Sequence, residues 1–180
     1  ALTALTTGGL NVAIGANALS AGVNATSNVA IGHNAMTANA AGGYSVAIGR
    51  DALLAINDDA NDGSVAIGHF AGNKKVGTGS QYTKASVHIG YSSGAAQTTG
   101  ANNTSVGHAT MGGDVLGTAL TGSDNTVIGY SAGYAMSGAG ASNVYIGSNT
   151  ANSITSGVNN VAIGDLALST ADGGESNNVA

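Results

Sequence analysis

A five-residue motif, Asn/Ser-Val-Ala-Ile-Gly, recurs along the whole chain and constrains its fold more than any other feature. The glycine that ends each copy, the closing glycine, falls at positions 15, 32, 49, 68, 90, 107, 129, 147 and 164. The commonest step between these positions is also the shortest, and every step that differs from it is longer. A fixed period of this kind is typical of a repeat architecture in which each unit contacts its neighbours.

The repeats predict a single array over residues 1–180, with a period of about 17 residues and longer insertions at 69–86 and 108–125. Loops accept extra residues more readily than a core does, which explains why the gaps only lengthen. The dipeptide Ala-Leu at 1–2 recurs at 18–19, and a shortened motif occupies 178–180. We therefore expect the segment to be a fragment of a longer fibre.

A unit of this length is too short for a pair of helices and suits short strands joined by turns, which is one coil of a β-solenoid. The first and third residues of Val-Ala-Ile are β-branched and share one face of a strand. We expect that face to line the interior of the coil and the middle alanine to point away from it. A strand that is apolar on both sides is buried on both sides, so the alanine side needs a partner.

The fold class predicted from this pattern is all-β, a parallel β-roll or β-solenoid of about ten coils. Three identical rolls, intertwined or side by side around an axis, would cover the second apolar face. The structural positions of the repeat are Val12, Ile14, Gly15, Val29, Ile31, Gly32, Val46, Ile48, Gly49, Val65, Ile67, Gly68, Val87, Ile89, Gly90, Val161, Ile163 and Gly164.

The polar residue that opens each motif has two interpretations. In stacked coils the asparagines would lie about 4.8 Å apart, where their amides can bond to one another in a ladder. The alternative is simple turn propensity, because Asn and Ser side chains bond their own backbone. The closing glycine suits a sharp corner under either interpretation.

The composition narrows the possible functions. Charged residues make up 7% of the chain and hydrophobic residues 43%, with small apolar side chains dominating, so we expect a thin core repeated many times. The net charge of −5 disfavours a nucleic-acid partner. No run of about 18 apolar residues is present, so we expect no membrane insertion by this segment.

The extended motif Asn/Ser-Val-Ala-Ile-Gly-x-x-Ala resembles the head repeats of trimeric autotransporter adhesins, the YadA-like head, and similar repeats of bacteriophage tail fibres. The resemblance runs from Asn11 to Ala180. It implies a left-handed parallel β-roll assembled as a homotrimer, displayed outside the cell on a cell surface or virion fibre. It also implies attachment to a host surface, matrix or glycan. The repeat unit of this chain is longer than is common in that family, which leaves the shape of the turns open.

Catalytic patterns are missing from the sequence. The chain has no cysteine, so it has no thiol nucleophile and no cysteine metal site. Glycine-rich phosphate loops need a following helix, which the repeat does not offer. We predict that the chain is not an enzyme and uses no cofactor.

Two sets of residues are candidate ligand contacts, for a host-surface glycan or protein. One set directly follows closing glycines and would form either a binding edge of rings and charges or a solvated edge without a partner. The other lies in the insertion at 69–86, which carries three of the four cations and is either a contact loop or a soluble cap. The candidates are His33, Arg50, His69, Tyr91, His108 and Tyr130 in the first set, and Phe70, Lys74, Lys75, Tyr82 and Lys84 in the second.

His88 and Tyr145 stand where other copies of the motif have alanine. We expect them to mark places where that face of the strand opens to solvent or lines a gap between protomers.

The leading hypothesis is a structural and adhesive segment of an extracellular trimeric fibre. A phage tail fibre or surface-filament spacer with no receptor contact of its own is the alternative. An ice-binding solenoid would need flat threonine ladders, and the threonines are scattered. A polysaccharide-degrading spike would need paired carboxylates, which the repeated positions lack.

Overall fold

The structure, a computed structural model, describes residues 1–4, 6–56, 63–74, 85–113, 119–170 and 173–180. These residues form nine strands of three residues each. They are β1 (Val12–Ile14), β2 (Val29–Ile31), β3 (Val46–Ile48), β4 (Val65–Ile67), β5 (Val87–Ile89), β6 (Thr104–Val106), β7 (Thr126–Ile128), β8 (Val144–Ile146) and β9 (Val161–Ile163). The described part of the chain contains no helix long and apolar enough to cross a lipid bilayer.

The nine strands form one parallel sheet in chain order. Equivalent positions of successive motifs pair, from Val12 with Val29 at one end to Ile146 with Ile163 at the other. Parallel neighbours require the chain to return to the same edge between strands, so each repeat makes one full coil. The predicted all-β fold, a parallel β-solenoid, is confirmed. The long gaps between β4 and β5 and between β6 and β7 leave the register intact.

The corners of the coils repeat as regularly as the strands. In every coil the second and fourth residues after the closing glycine have a left-handed backbone, as at Asn17 (φ 57°) and Leu19 (φ 49°). Asparagine tolerates this conformation because its short side chain bonds locally. Leucine does not favour it, and Leu19 is held there by complete burial.

The strands face the opposite way from the prediction. The middle residues Ala30, Ala47 and Ala66 are completely buried inside the coil, whereas Ile14 and Ile163 are 59% exposed. The expectation that valine and isoleucine line the interior was wrong. The reason is the two-residue period of a strand, which puts the opening residue, the middle residue and the closing glycine of each motif on one side. The opening asparagines are buried, so the alanines are buried with them.

The narrow interior is filled by side chains of complementary size. The middle residue of a strand lies beside the fourth residue after the closing glycine, and in most coils one is large where the other is small. Ala47 accompanies Leu53, whereas His88 accompanies Gly94. A Cβ added at Gly94 would lie 2.8 Å from Cγ of His88, so the imidazole needs this glycine. The predicted thin core is confirmed.

His88 and Tyr145 are both completely buried inside the roll. The expectation that they open to solvent or line a gap between protomers was wrong, because their position in the strand faces inward. His88 Nδ1 lies 2.7 Å from Ser105 Oγ, which lies 2.6 Å from Ser93 Oγ. These buried polar groups lie between two apolar clusters of the core. The serine–histidine contact is therefore enclosed by the core.

The opening residues form an amide ladder, here defined as the stacked Asn or Ser that begins each motif. Asn143 shows the pattern: its Nδ2 donates to Asn125 Oδ1 (3.0 Å) and to the Gly157 carbonyl (2.8 Å). Its Oδ1 accepts from the backbone N (3.0 Å) and Nδ2 (3.1 Å) of Asn160. The predicted ladder of bonded amides is confirmed for the asparagines, where it satisfies buried polar groups. Among the described residues the ladder is interrupted at Ser64, whose buried Oγ has no hydrogen-bond partner.

Burial raises the pKa of the Tyr145 hydroxyl, with a smaller opposing effect from its hydrogen bond to Asn160. Because the unfolded tyrosine loses its proton near pH 10 and the folded one does so only at higher pH, stability should fall as pH rises above about 10. We expect Tyr145→Phe to reduce this alkaline loss and to leave stability below that pH nearly unchanged. The measurement is the thermal midpoint as a function of pH, with the exposed Tyr44 changed to Phe as the control. An unchanged alkaline profile in Tyr145→Phe would contradict the assignment.

Candidate ligand-binding edge and assembly face

Four of the predicted contact residues meet along one edge of the solenoid. Each directly follows a closing glycine, so the in-register coils stack their side chains at one corner. Backbone bonds on either side of this corner, such as Ser92 N to the His69 carbonyl (2.9 Å), hold the register. We name this set, His69, Tyr91, His108 and Tyr130, the ring ladder.

The rings of the ladder pack on one another along the axis of the solenoid. Tyr91 and His108 are stacked with centroids 4.9 Å apart, and His108 and Tyr130 with centroids 5.3 Å apart. His69 meets Tyr91 edge to face at 5.5 Å. Phe70, predicted to belong to the insertion, stacks on His69 at 4.0 Å and so extends the ladder.

This geometry determines which parts of the rings a ligand can reach. Stacking covers the faces of Tyr91 and His108. Their edges, which carry the phenol hydroxyl of Tyr91 and the imidazole nitrogens of His108, point towards solvent. Tyr130 differs because the next coil has Ser148 at the equivalent position, held there by a bond from Asn149 N to the Tyr130 carbonyl (2.8 Å). Tyr130 is accordingly 57% exposed and Tyr91 43%. One face of Tyr130 is open.

At the other end of the ladder lies a buried carboxylate that the sequence analysis missed. Asp51 is almost completely buried, accepts a bond from Asn34 Nδ2 (2.9 Å) and pairs with Arg50 Nε (3.0 Å). His69 Nε2 is 4.0 Å from the same carboxylate. The signal was available, because Asp51 is equivalent to Asn34 one coil earlier. Arg50 is largely exposed, so this ion pair adds little stability.

Of the remaining predicted contacts, Arg50 reaches the His69 end of the ring ladder through Asp51. His33 is exposed one coil before Arg50, and both lie in coils that precede the ring ladder in the chain. Lys74 is half-buried at the start of the insertion. Lys75, Tyr82 and Lys84 lie outside the described residues. The predicted contacts that the structure brings together are therefore the four residues of the ring ladder and Phe70, which stacks on His69.

The second candidate surface is the outer face, defined as the first and third residues of the nine strands. Sixteen of these eighteen positions are valine or isoleucine, and the other two are Thr104 and Thr126. The stacked strands make an apolar strip about 40 Å long. Soluble monomers rarely expose a continuous apolar patch of this size, and such patches mark interaction surfaces.

Among the described residues, no three His, Asp or Glu side chains come close enough together to hold a metal ion. No protein-family model, curated protein or solved structure matches the chain.

Proposed function

We propose that the chain is a structural and adhesive segment of an extracellular homotrimeric fibre, built as a left-handed β-roll like the YadA-like heads it resembles. In this proposal it has no enzymatic activity and no cofactor, and it binds neither nucleic acid nor membrane. The observation that carries the proposal is the outer face, because among the described residues its β-branched side chains form an ordered row that stays partly exposed, as at Ile67 (37%) and Ile89 (36%).

Self-association would use the outer face, whose residues repeat at the spacing of the coils. Its strands pair without a break, so its valines and isoleucines form regular rows that another such row can meet at equal spacing. A second copy of the chain has the same coil spacing and is therefore complementary along the whole length. Closed rotational symmetry buries the outer face of every copy and leaves none free to bind a further copy.

The fibre role follows from the repeat. Each coil bonds to the next through strand, amide ladder and corner, so stiffness is shared along the rod. A ring ladder repeated on three chains multiplies weak contacts into avidity. The spacer alternative, with no receptor contact, gains support from the stacked rings, whose faces are largely covered by one another.

We expect the unsubstituted chain to sediment as a particle of three times its 17.1 kDa mass. The double change Ile67→Asp and Ile89→Asp should release single chains, because carboxylates would be buried at the assembly axis without partners. Both side chains are partly exposed in the single chain, so the coil itself should keep its circular dichroism spectrum. The measurement is sedimentation equilibrium.

The matched control is Leu166→Asp, which adds the same charge at a 55% exposed leucine outside the outer face. It should leave the mass at three chains. The proposal fails if the unsubstituted chain sediments as one chain or if both variants have the same mass.

A further inference from the structure

The open face of Tyr130 and the groups beyond it form a step in the edge of the fibre. The ring ladder ends at Tyr130, the small Ser148 follows one coil later, and Asp165 follows in the coil after that, held by a bond from Leu166 N to the Ser148 carbonyl (2.9 Å). Both Asp165 and Leu166 are exposed. At about 4.8 Å per coil, the space over Ser148 between Tyr130 and Asp165 is about one flat ring deep, with room for its substituents.

We propose that this step binds one pyranose ring of a neutral glycan, with the sugar stacked on Tyr130 above Ser148 and its hydroxyls reaching Asp165. This inference rests on the adhesive part of the proposed function and names its ligand class. The negative face of an aromatic ring attracts the slightly positive C–H groups on one face of a pyranose. The serine hydroxyl and the carboxylate supply the few polar contacts that orient a ligand on an apolar platform.

The rest of the ladder suits a longer glycan chain. The exposed edges alternate between phenol and imidazole, and both groups donate and accept hydrogen bonds. They recur at 4.9 and 5.3 Å, comparable to the length of one sugar unit. A polyhydroxylated ligand that begins on the face of Tyr130 can therefore continue along these edges.

Charge and geometry argue against two other ligand classes. An acidic glycan would meet the Asp165 carboxylate on a chain of net charge −5, and like charges at an interface are costly. A quaternary ammonium group favours a cage of several ring faces. Only one face of the stacked rings from His69 to Tyr130 is open at this end of the ladder.

The experiment titrates the full chain with cellohexaose and chitohexaose and follows saturation transfer to the sugar protons by NMR. We expect binding of at least one of the two. Tyr130→Ala should weaken it about tenfold, because the platform is lost. Ser148→Leu should weaken it similarly, because the leucine would cover the open face while Tyr130 itself remains.

Two control variants distinguish binding at this site from non-specific binding to the chain. Tyr44→Ala removes another exposed tyrosine, away from the ladder, and should change the affinity less than twofold. Asp165→Asn keeps the hydrogen bonds to hydroxyls and removes the charge, so the affinity should stay within about threefold.

The inference is overturned if neither hexasaccharide binds, or if Tyr44→Ala weakens binding as much as Tyr130→Ala. It is also overturned if a heparin hexasaccharide or choline binds more tightly than the neutral sugars. Sedimentation distinguishes failure here from failure of the proposed function. A three-chain particle without sugar binding defeats only the glycan site, and a single chain that binds sugar through Tyr130 defeats only the assembly.

Discussion

Replacing Gly49 by alanine is expected to destabilise the solenoid by about 4 kcal/mol, which combines the strain of its backbone with overpacking. Gly49 has φ 131°, a conformation that side chains disfavour. An added Cβ would lie 2.6 Å from the carbonyl oxygen of Gly68 in the next coil. That coil cannot withdraw easily, because Gly49 N and Gly68 N donate to the Ile31 and Ile48 carbonyls at 2.7 and 2.8 Å.

The measurement is thermal unfolding followed by circular dichroism, in which a loss of this size lowers the midpoint by about 12 °C in a chain of this length. Gly9→Ala is the matched control, because a Cβ there meets nothing within 4 Å. Its midpoint should match the unsubstituted chain. Equal midpoints for Gly49→Ala and Gly9→Ala would show that the closing glycine is not needed for stacking.

The second large effect is expected from the amide ladder. Asn143→Leu keeps a similar volume but leaves the Gly157 carbonyl without its donor and the Asn160 backbone N without its acceptor, both in the interior. At about 1–3 kcal/mol for each orphaned group, the loss should be about 4 kcal/mol. Urea unfolding is the appropriate measurement.

Two further variants grade the effect. Asn143→Ser should cost about half as much, because a serine oxygen still accepts from the next backbone N, as Ser45 Oγ does from Ser64 N at 3.2 Å. Asn152→Ala removes an asparagine whose side chain accepts a hydrogen bond from its neighbour Ser153 at the surface, so stability should change by less than about 0.5 kcal/mol. If all three variants unfold at the same urea concentration, the ladder contributes nothing beyond turn formation.

The ring ladder shows how far the candidate site was predictable. Its members were recognisable because each follows a closing glycine, and in-register coils bring equal positions together. The orientation of the rings was not predictable from spacing, since it depends on χ angles set by neighbouring coils. Stacking of Tyr91 on His108 covers the faces that a sugar would otherwise use. The sequence already places Ser148 one repeat after Tyr130, and the structure adds that the other rings cover one another.

The main difference between the predicted and the observed fold is the direction in which the outer face points. Hydrophobicity alone favours burying valine and isoleucine over alanine, and it predicts the wrong side of the strand for the interior. The two-residue period of a strand predicts the correct side. Asn28 and Ala30 share one face, so burial of the Asn28 amide requires Ala30 to face inward as well. A buried amide ladder and an inward valine face exclude each other, because Asn28 and Val29 point to opposite sides of the strand.

By itself the sequence determined the period, the parallel register and the thinness of the core, because these depend on identical residues recurring at fixed intervals. The tertiary structure alone decided which side of each strand is inside and how large and small side chains share that space. Those features depend on which residues face one another across a coil, as His88 faces Gly94. Contacts across a closed coil join positions that no local pattern marks as neighbours.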